Sequence, residues 1–330
     1  MFLILATFII LLENTVQNRL QIWGAGMAGL IAANVLRKHN PIVYEAKSEL
    51  PHNHKALLRF RTDKVSIATG IPFKKVSIRK AIWHNGKLYN ESNLKFDNLY
   101  SQKVTGTVAK RSIENFHGEV RYIAPHDFVE RLAEGVEIEY NHKVEQPSGG
   151  VAISTLPMPL NMKIAGLNSD VKYECKEICS VNFFINEPSV DVYQTIYDVS
   201  EKTPFYRLSI SGNEAIFEGR KEAIDALFEK GAEASIIANA LREYFGINMS
   251  HASFTNPIKV IQSLGKIIPV DDTIRRNNIL NLSREKQIYS LGRFATWRQI
   301  MLDDVIDDID IIEKIMKQDN YNKTLYMCNK

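Results

Sequence analysis

Short apolar runs alternate with helical repeats in the first half of the chain and again near its end. Buried strands that alternate with amphipathic helices are typical of a parallel sheet with helices on its faces. The strands predicted in this way are 21–23, 41–45, 136–140, 151–155 and 288–292. The predicted helices are one that ends at His39, one over 125–134 and a long one over 303–317.

The middle of the chain has a different pattern, because β-rich runs follow one another without helical spacers. Runs separated by Pro and Ser-Gly-Asn turns predict an antiparallel sheet. These runs are 181–185, 191–197, 206–210 and 215–217. Asn85-Gly86 predicts a hairpin that joins 81–83 to 87–89. Residues 222–245 are predicted as two helices with a break near Gly231.

A glycine motif follows the first predicted strand and opens the first helix. Gly24, Gly26 and Gly29 have the G-x-G-x-x-G spacing, in which the first glycine makes a tight turn and the second admits a pyrophosphate at the helix N-terminus. The third lets the helix pack closely on the strand. Glu45 ends the second strand, where an acid that binds ribose is expected, and its charge would repel a 2′-phosphate. We interpret the motif as a dinucleotide site; a βαβ unit without a ligand is the alternative.

These patterns together predict an α/β protein with a discontinuous Rossmann-like, three-layer domain on a mostly parallel sheet. An inserted mixed α/β substrate domain is predicted to rest on the antiparallel sheet. The nucleotide-binding domain is assigned to 19–50, 120–157 and 286–318, the insertions to 51–119 and 158–285, and an N-terminal extension to 1–18.

Composition excludes several classes of protein. The 330 residues include 45% hydrophobic and 24% charged residues, which are globular values. A net charge of +3 gives no reason to expect nucleic acid as a partner. Three cysteines are too few for a disulfide framework, so a reducing, cytoplasmic compartment is predicted. Cys175 and Cys179 lack two further clustered ligands, and the His52-x-His54 pair is more typical of polar surface, so no metal is predicted.

The apolar stretch Phe2–Leu12 has about half the length that crosses a bilayer. It also lacks the basic residues and the small-residue cleavage site of a signal peptide. An extension upstream of a strand that begins near Arg19 is the favoured interpretation; a weak membrane anchor and a packed helix are the alternatives. We expect no stable membrane insertion.

Several segments resemble the FAD fingerprint of the glutathione-reductase-like flavoproteins, which include amine oxidases, protoporphyrinogen oxidase and UDP-galactopyranose mutase. The glycine motif continues into Leu30 and Ala33, which recur in that superfamily. Residues 140–144 are similar to the strand whose valine, here Val144, touches the adenine through its backbone. Residues 153–157 are similar to the strand that passes the cofactor. The resemblance implies a Rossmann-like FAD-binding domain.

The tail is most similar to the mutases. Residues 291–298 resemble their Gly-Arg-x-x-Thr-Tyr-Arg element, with Trp297 in place of the tyrosine, and an acidic helix start follows. The resemblance implies that Arg293 sits by the flavin and that the helix start supplies backbone donors. The cofactor-binding residues expected from the motif and the resemblance are Gly24, Gly26, Met27, Ala28, Gly29, Glu45, Ala46, Val144, Thr155, Gly292, Arg293, Asp303, Asp304 and Val305.

The reaction itself is less specified, and no catalytic residue is assigned. Arg207, Trp297 and Lys266 are candidates, although each also has an ordinary structural interpretation. The first functional hypothesis is an FAD-dependent oxidoreductase acting on a small metabolite, such as an amine. The alternatives are a mutase that acts on a nucleotide sugar without net redox change and a non-catalytic nucleotide-binding module. The sequence predicts no oligomeric state.

Overall fold

The computed structural model describes residues 19–328 except 51–57, 107, 109–112, 114–115, 117, 148, 187–190, 202 and 249–252. The predicted extension 1–18, with its apolar stretch Phe2–Leu12, lies outside the described residues, as do His52 and His54. None of the helices in the described part of the chain combines the length and apolar character that a bilayer crossing requires.

The strands form two sheets. In chain order they are β1 Gln21–Trp23, β2 Ile42–Tyr44, β3 Arg59–Phe60, β4 Lys74–His84, β5 Lys87–Tyr89, β6 Glu119–Ile123, β7 Glu137–Glu139, β8 Ala152–Ser154, β9 Cys175–Phe184, β10 Val192–Asp198, β11 Phe205–Gly212, β12 Glu214–Gly219, β13 Ile258–Ile267 and β14 Ile288–Ser290.

The α-helices pack around both sheets. In chain order they are α1 Met27–Val35, α2 Lys64–Thr69, α3 Leu94–Thr105, α4 Phe128–Ala133, α5 Met158–Ala165, α6 Lys221–Glu229, α7 Glu233–Phe245, α8 Asp272–Lys286, α9 Arg293–Thr296 and α10 Leu302–Cys328.

The first sheet has five strands in the order β14-β8-β1-β2-β7, and every pair is parallel. Apolar clusters cover both of its faces. One cluster joins the sheet to α1, α4 and α10, for example through Leu30, Phe128 and Ile309. The other joins it to α5 and α8, through Met162 and Leu282. The three-layer parallel domain is therefore confirmed, and its strands are short and apolar because both faces are buried.

The second sheet has nine strands in the order β13-β9-β12-β11-β10-β4-β6-β3, with β5 paired to β4. Its pairs are antiparallel except for β10 with β4, which joins the two predicted insertions. Helices α6 and α7 cover one face through residues such as Ile224 and Leu241. The antiparallel sheet of a mixed α/β second domain is confirmed. The exact domain boundaries stay a prediction; β6 lies in the second sheet, although most of its residues fall in the segment 120–157.

Several observed elements are absent from the sequence prediction, among them β13, α3 and α8. Strand β13 is interrupted by a register shift between Gln262 and Lys266. A Cβ atom on Gly265 would lie 2.4 Å from the Ile178 side chain, so only glycine allows this close approach. The alternating pattern of the strand is interrupted at the same place. Helix α8 carries few apolar residues and buries Leu282 together with the polar Arg275 and Asn278. A helix that buries polar groups gives little periodic signal.

Candidate cofactor and substrate site

The glycine turn between β1 and α1 contains contacts that only glycine permits. Gly24 has φ of +95°, and a Cβ atom there would lie 2.7 Å from Thr155 Oγ1. A Cβ atom on Gly29 would lie 2.0 Å from the Gly24 carbonyl oxygen, so the helix can pack on the turn only without a side chain at this position. Nothing lies within 4 Å of the Cβ position of Gly26, the N-cap residue of α1. The turn is therefore open at Gly26, beside the positive end of the helix dipole.

Glu45 follows β2 and turns its carboxylate towards the same turn. Its Oε2 accepts the N–H of Ala25 at 2.8 Å, and its Oε1 accepts the N–H of Lys47 at 3.0 Å. A carboxylate has about four lone-pair sites, so this one retains capacity for the two hydroxyls of a ribose. The open turn, the helix N-terminus and this acid fit the adenosine and pyrophosphate of a dinucleotide.

The other expected residues of the first half lie beyond the carboxyl ends of neighbouring strands. Thr155 follows β8, and its hydroxyl donates to the Trp23 carbonyl at 2.9 Å. Val144 follows β7 and packs, partly buried, on the cluster that contains Trp23. Ala46 is exposed directly after Glu45. Because the carboxyl ends of parallel strands meet at one edge of a sheet, these residues border the glycine turn.

Gly292 brings the end of the chain against the same helix. It has φ of +86°, and a Cβ atom there would lie 3.0 Å from the Ala28 Cβ. The preceding residue, Leu291, donates its N–H to the Ser154 carbonyl at 2.9 Å, which extends the contact between β14 and β8. The side chain of Met27 is buried in the core beneath the turn. The two ends of the chain thus meet at the start of α1.

Arg293 opens α9 and holds the loop that precedes α10. Its Nε and Nη2 atoms donate to the Ile300 carbonyl oxygen at 3.1 and 2.9 Å. Burial lowers the pKa of Arg293, and the positive charge of Arg207 lowers it further. The guanidinium remains charged in any case, so it places a positive charge close to Gly292.

The acidic residues at the start of α10 bind the protein itself. Asp303 is buried and accepts the N–H groups of Arg61 and Thr62 at 3.1 and 2.9 Å, and the Thr62 hydroxyl at 2.9 Å. Asp304 forms an ion pair with Arg61 at 2.6 Å. Val305 is 1% exposed and packs in the core. The side chains of 303–305 are therefore engaged within the protein, and the Asp304 N–H donates to the Met301 carbonyl at 3.2 Å. The backbone donation expected of this helix start stays a prediction.

Metal ligands are not grouped in the described part of the chain. No set of three or more His, Cys, Asp or Glu side chains there is arranged to hold a metal ion. Cys175 and Cys179 lie on the same strand, β9, and burial raises the pKa of both thiols.

The second sheet presents a polar face opposite its helix-covered face. The cross-strand register places three rows of side chains there: Tyr197, Arg207 and Glu218; Thr195, Ser209 and Ile216; and Tyr193, Ser211 and Glu214. The alternate residues, such as Leu208 and Phe217, pack against α6 and α7. We call this surface of β10, β11 and β12 the polar face.

Two arginines meet on the polar face. Arg207 forms an ion pair with Glu218 across the strands, and its side chain keeps 34% of its surface exposed. Burial alone would lower the pKa of Arg207, but the Glu218 carboxylate outweighs it and raises this pKa above its ordinary value. Arg59 reaches over from β3, where Nη1 donates to Thr195 Oγ1 at 2.6 Å and Nη2 donates to the Ile210 carbonyl. Burial and then the charge of Arg207 lower the pKa of Arg59 to about 10.

The polar face lies next to the start of α10. Arg59 is two residues before Arg61, which pairs with Asp303 and Asp304. The positive charge of Arg207 also acts on Arg293, whose pKa it lowers after burial. The residues expected to bind the cofactor and the polar face therefore border a common region between the two sheets.

The remaining catalytic candidates differ in placement. Trp297 is 3% exposed, donates from Nε1 to the Ile268 carbonyl at 2.9 Å and packs edge-on against Tyr173. This placement favours its structural interpretation. Lys266 lies on strand β13, although its ordinary structural interpretation is a loop residue. Its Nζ atom is 4.9 Å from the centre of the Tyr206 ring. Its position keeps it close to the first strand residues of β11.

The polar partners of Arg59 and Asp303 could not be predicted from the sequence. Arg59 contacts residues more than 130 positions away, and Asp303 contacts residues more than 240 positions away. Such contacts leave no local pattern. The alternation of Arg207, Ser209 and Ser211 along β11 is a usable signal, because period-2 polar positions mark one face of a strand.

Comparisons with known proteins agree on the fold. Neither family models nor curated sequences match this sequence. Among solved structures, a reduced UDP-galactopyranose mutase has a TM-score of 0.64 at 12% identity, with 91% of this chain and 94% of that chain covered. A putrescine oxidase bound to putrescine has a TM-score of 0.57 at 11% identity, with 91% and 99% covered. A probable FAD-dependent monooxygenase from Pseudomonas aeruginosa has a TM-score of 0.53 at 13% identity, with 91% and 87% covered.

Proposed function

We propose that this protein is an FAD-dependent oxidoreductase that acts on a small molecule. The observation that carries the proposal is the open turn at Gly26, with a helix N-terminus on one side and Glu45 on the other. This arrangement suits a pyrophosphate and a ribose without a 2′-phosphate. The amino-acid sequence has one such glycine motif. Separate flavin and nicotinamide domains would need two, so one motif suits a single bound flavin better. The FAD named for the similar monooxygenase agrees with this choice.

The chain provides the electrostatic setting that flavin chemistry needs. When bound, the isoalloxazine ring supplies the redox chemistry and gains negative charge on reduction. The N-terminus of α10 carries about half a positive charge, which stabilises an anion placed before it. Arg293 adds a full positive charge next to Gly292. Arg293 would therefore orient and stabilise the reduced cofactor, while Asp303 holds residues 61–62 in place beside it.

The first test is the absorption spectrum of the purified protein. We expect flavin bands, either directly or after addition of FAD. Colourless protein that does not bind added FAD would remove the enzyme proposal and favour the non-catalytic nucleotide-binding module.

Glu45→Ala tests the ribose site. We expect about 10- to 100-fold weaker FAD binding, because hydrogen bonds to a charged group contribute about 1.5–3 kcal/mol each. Titration of apoprotein with FAD, followed by flavin fluorescence, measures the change. The matched control is Glu145→Ala, which alters an exposed acid paired with Lys143. Unchanged affinity in Glu45→Ala would show that the ribose lies elsewhere.

A mutase-like reaction is the second candidate, and the fold shared with a UDP-galactopyranose mutase over 94% of that chain favours it. Activity on a nucleotide sugar only after chemical reduction of the flavin, without net consumption of electrons, would support the mutase. Bleaching of the flavin by an amine, with hydrogen peroxide formed on reoxidation, would support the oxidase and the amine expected from the sequence.

A further inference from the structure

Residues 59–64 connect the polar face of the second sheet to the start of α10, and we call this segment the strap. The strap contains β3 and opens α2. At its first residue, Arg59 donates to the Thr195 hydroxyl of β10 at 2.6 Å and to the Ile210 carbonyl of β11. At its centre, two backbone N–H groups donate to the Asp303 carboxylate. One short segment therefore contacts both the polar face and the helix start that is expected beside the flavin.

The attachment of the strap to α10 depends on the buried Asp303 carboxylate. Asp303 lies in the first turn of α10 and is 3% exposed. It accepts the N–H groups of Arg61 and Thr62 at 3.1 and 2.9 Å and the Thr62 hydroxyl at 2.9 Å. Hydrogen bonds to a carboxylate are strong, whereas exposed ion pairs such as Lys64 with Asp307 contribute little. The position of the helix start and the position of the strap therefore depend on each other.

The strap is also anchored in the apolar cluster that joins the first sheet to α1 and α10. Phe60 is 2% exposed and packs against Phe73 and Phe128 at ring-centroid distances of 4.8 and 6.0 Å. Val65, which directly follows the strap, is fully buried in the same cluster. Closely packed interiors transmit displacements instead of absorbing them. A shift at Asp303 is therefore passed along the strap to its first residue.

The other end of the strap is sensitive to such a shift. Burial, followed by the charge of Arg207, lowers the pKa of Arg59 to about 10, so the charged guanidinium is held where desolvation is costly. Its hydrogen bonds to β10 and β11 offset part of that cost, and they weaken steeply when their geometry is distorted. The Thr195 hydroxyl is also 2.9 Å from Ser209 Oγ, which extends the contact across both strands. A small displacement of Arg59 therefore alters the polar face.

We propose that the strap couples occupancy of the cofactor site to the arrangement of β10 and β11, with Asp303 and Arg59 as positioning residues. The proposal rests on the proposed function, because it assigns a form of regulation to that same site. A cofactor at the start of α10 fixes the helix start, Asp303 passes this constraint to the strap, and Arg59 passes it to the polar face. The polar face is therefore set for a substrate after the cofactor has bound. Such coupling is reciprocal, so loss of the Arg59 contact also weakens cofactor binding.

Hydrogen–deuterium exchange of the full chain with and without FAD tests the coupling. We expect FAD to slow exchange in β10 and β11 about 5-fold or more beyond its effect on β13, an edge strand of the same sheet. Strand β13 is the internal reference, because a bound ligand also stabilises the protein as a whole. In Arg59→Met, FAD should slow β10 and β11 no more than β13. Arg59→Lys keeps a donor and should restore part of the selective effect.

FAD titration of the same variants is the second measurement. We expect about 10-fold weaker binding in Asp303→Asn, which disturbs the acceptor of the strap, and about 5-fold weaker binding in Arg59→Met. Because both residues act through one strap, adding Arg59→Met to Asp303→Asn should weaken binding little further. Lys64→Met removes an exposed charge from the strap and is the matched control. It should bind FAD and respond to FAD like the wild type.

Three results would each overturn the proposal: equal slowing of β10, β11 and β13 in the wild type, selective slowing that persists in Arg59→Met, or affinity losses that add. The melting temperature of each variant shows that it is folded. Any of these results in FAD-containing protein refutes the coupling alone. Protein that binds no FAD refutes the proposed function, and the coupling with it.

Discussion

Gly29→Ala should destabilise the protein and Gly26→Ala should leave its stability unchanged, although both remove a glycine from one motif. A methyl group at Gly29 would lie 2.0 Å from the Gly24 carbonyl oxygen, a backbone atom that cannot move without breaking the turn. Alanine would gain about 1 kcal/mol in helix propensity. The clash outweighs this gain, so we expect a net loss of about 3 kcal/mol or more in the free energy of unfolding.

Gly26→Ala separates cofactor binding from folding. The added methyl group meets nothing within 4 Å in the protein, but it occupies the space where a pyrophosphate would approach the helix N-terminus. We expect an unchanged melting temperature of the apoprotein and FAD affinity lowered by at least about 100-fold. Thermal unfolding and FAD titration of both variants measure the two effects. Normal FAD binding by Gly26→Ala would mean that the pyrophosphate does not pass over this turn.

Asp198→Asn should be the most damaging isosteric change in the second domain. Asp198 is fully buried and accepts the Ser200 N–H at 2.7 Å, together with the hydroxyls of Thr203 and Tyr244. Lys103 lies 3.4 Å away and is only 6% exposed. Loss of the carboxylate leaves the ammonium group buried and unpaired, which costs about 3–5 kcal/mol. Urea unfolding measures the loss.

Two controls define the Asp198 effect. Adding Lys103→Met to Asp198→Asn removes the unpaired charge, so the double variant should be more stable than Asp198→Asn alone. Asp307→Asn breaks an exposed pair with Lys64 and should change stability little. If Asp198→Asn resembled Asp307→Asn, the buried cluster would have no structural importance.

The same cluster predicts how stability depends on pH. Burial lowers the pKa of Lys103 to about 8, while the unfolded chain has the ordinary lysine value. Between these values the unfolded state binds more protons, so this lysine adds stability as pH rises. Tyr244, whose pKa is raised by burial and by Asp198, opposes this trend once unfolded tyrosine ionises near pH ~10. Unfolding measured from about pH 7.5 to 9.5 should therefore show the lysine contribution in the wild type and not in Lys103→Met.

The first sheet was predictable from sequence because its determinants are local. The glycines are required by the turn itself, and the short apolar strands are required by burial on both faces. The acid at Glu45 follows its strand directly. The resemblance of residues 291–298 to a mutase element also assigned the end of the chain to the same domain before any contact was known. Cofactor roles for the individual residues stay a prediction until binding is measured.

The second sheet was harder to predict because its determinants are distant in sequence. The parallel pairing of β10 with β4 joins residues more than 100 positions apart, and no turn specifies it. The alternating polar and apolar pattern of β13 is interrupted by a bulge at Gly265. Helix α8 buries Arg275, which donates to the Thr296 carbonyl, so its buried side does not form a regular apolar stripe. The side-chain contacts of Asp303 with residues 61–62 were not expected from the sequence, whereas the cofactor role of its backbone N–H stays a prediction. These choices depend on tertiary contacts that a single sequence does not display.

The strand order of the first sheet has a consequence for synthesis on the ribosome. β1 lies at the centre, while β14 completes the edge beside β8 and brings Gly292 against α1. At about 5–20 residues per second, β14 emerges roughly 13–53 s after β1. Until then β8 presents an unpaired, apolar edge, which is a template for aggregation. A ligand that depends on the contact between Gly292 and α1 is therefore captured late, and the nascent chain must protect an incomplete sheet while the whole second domain is made.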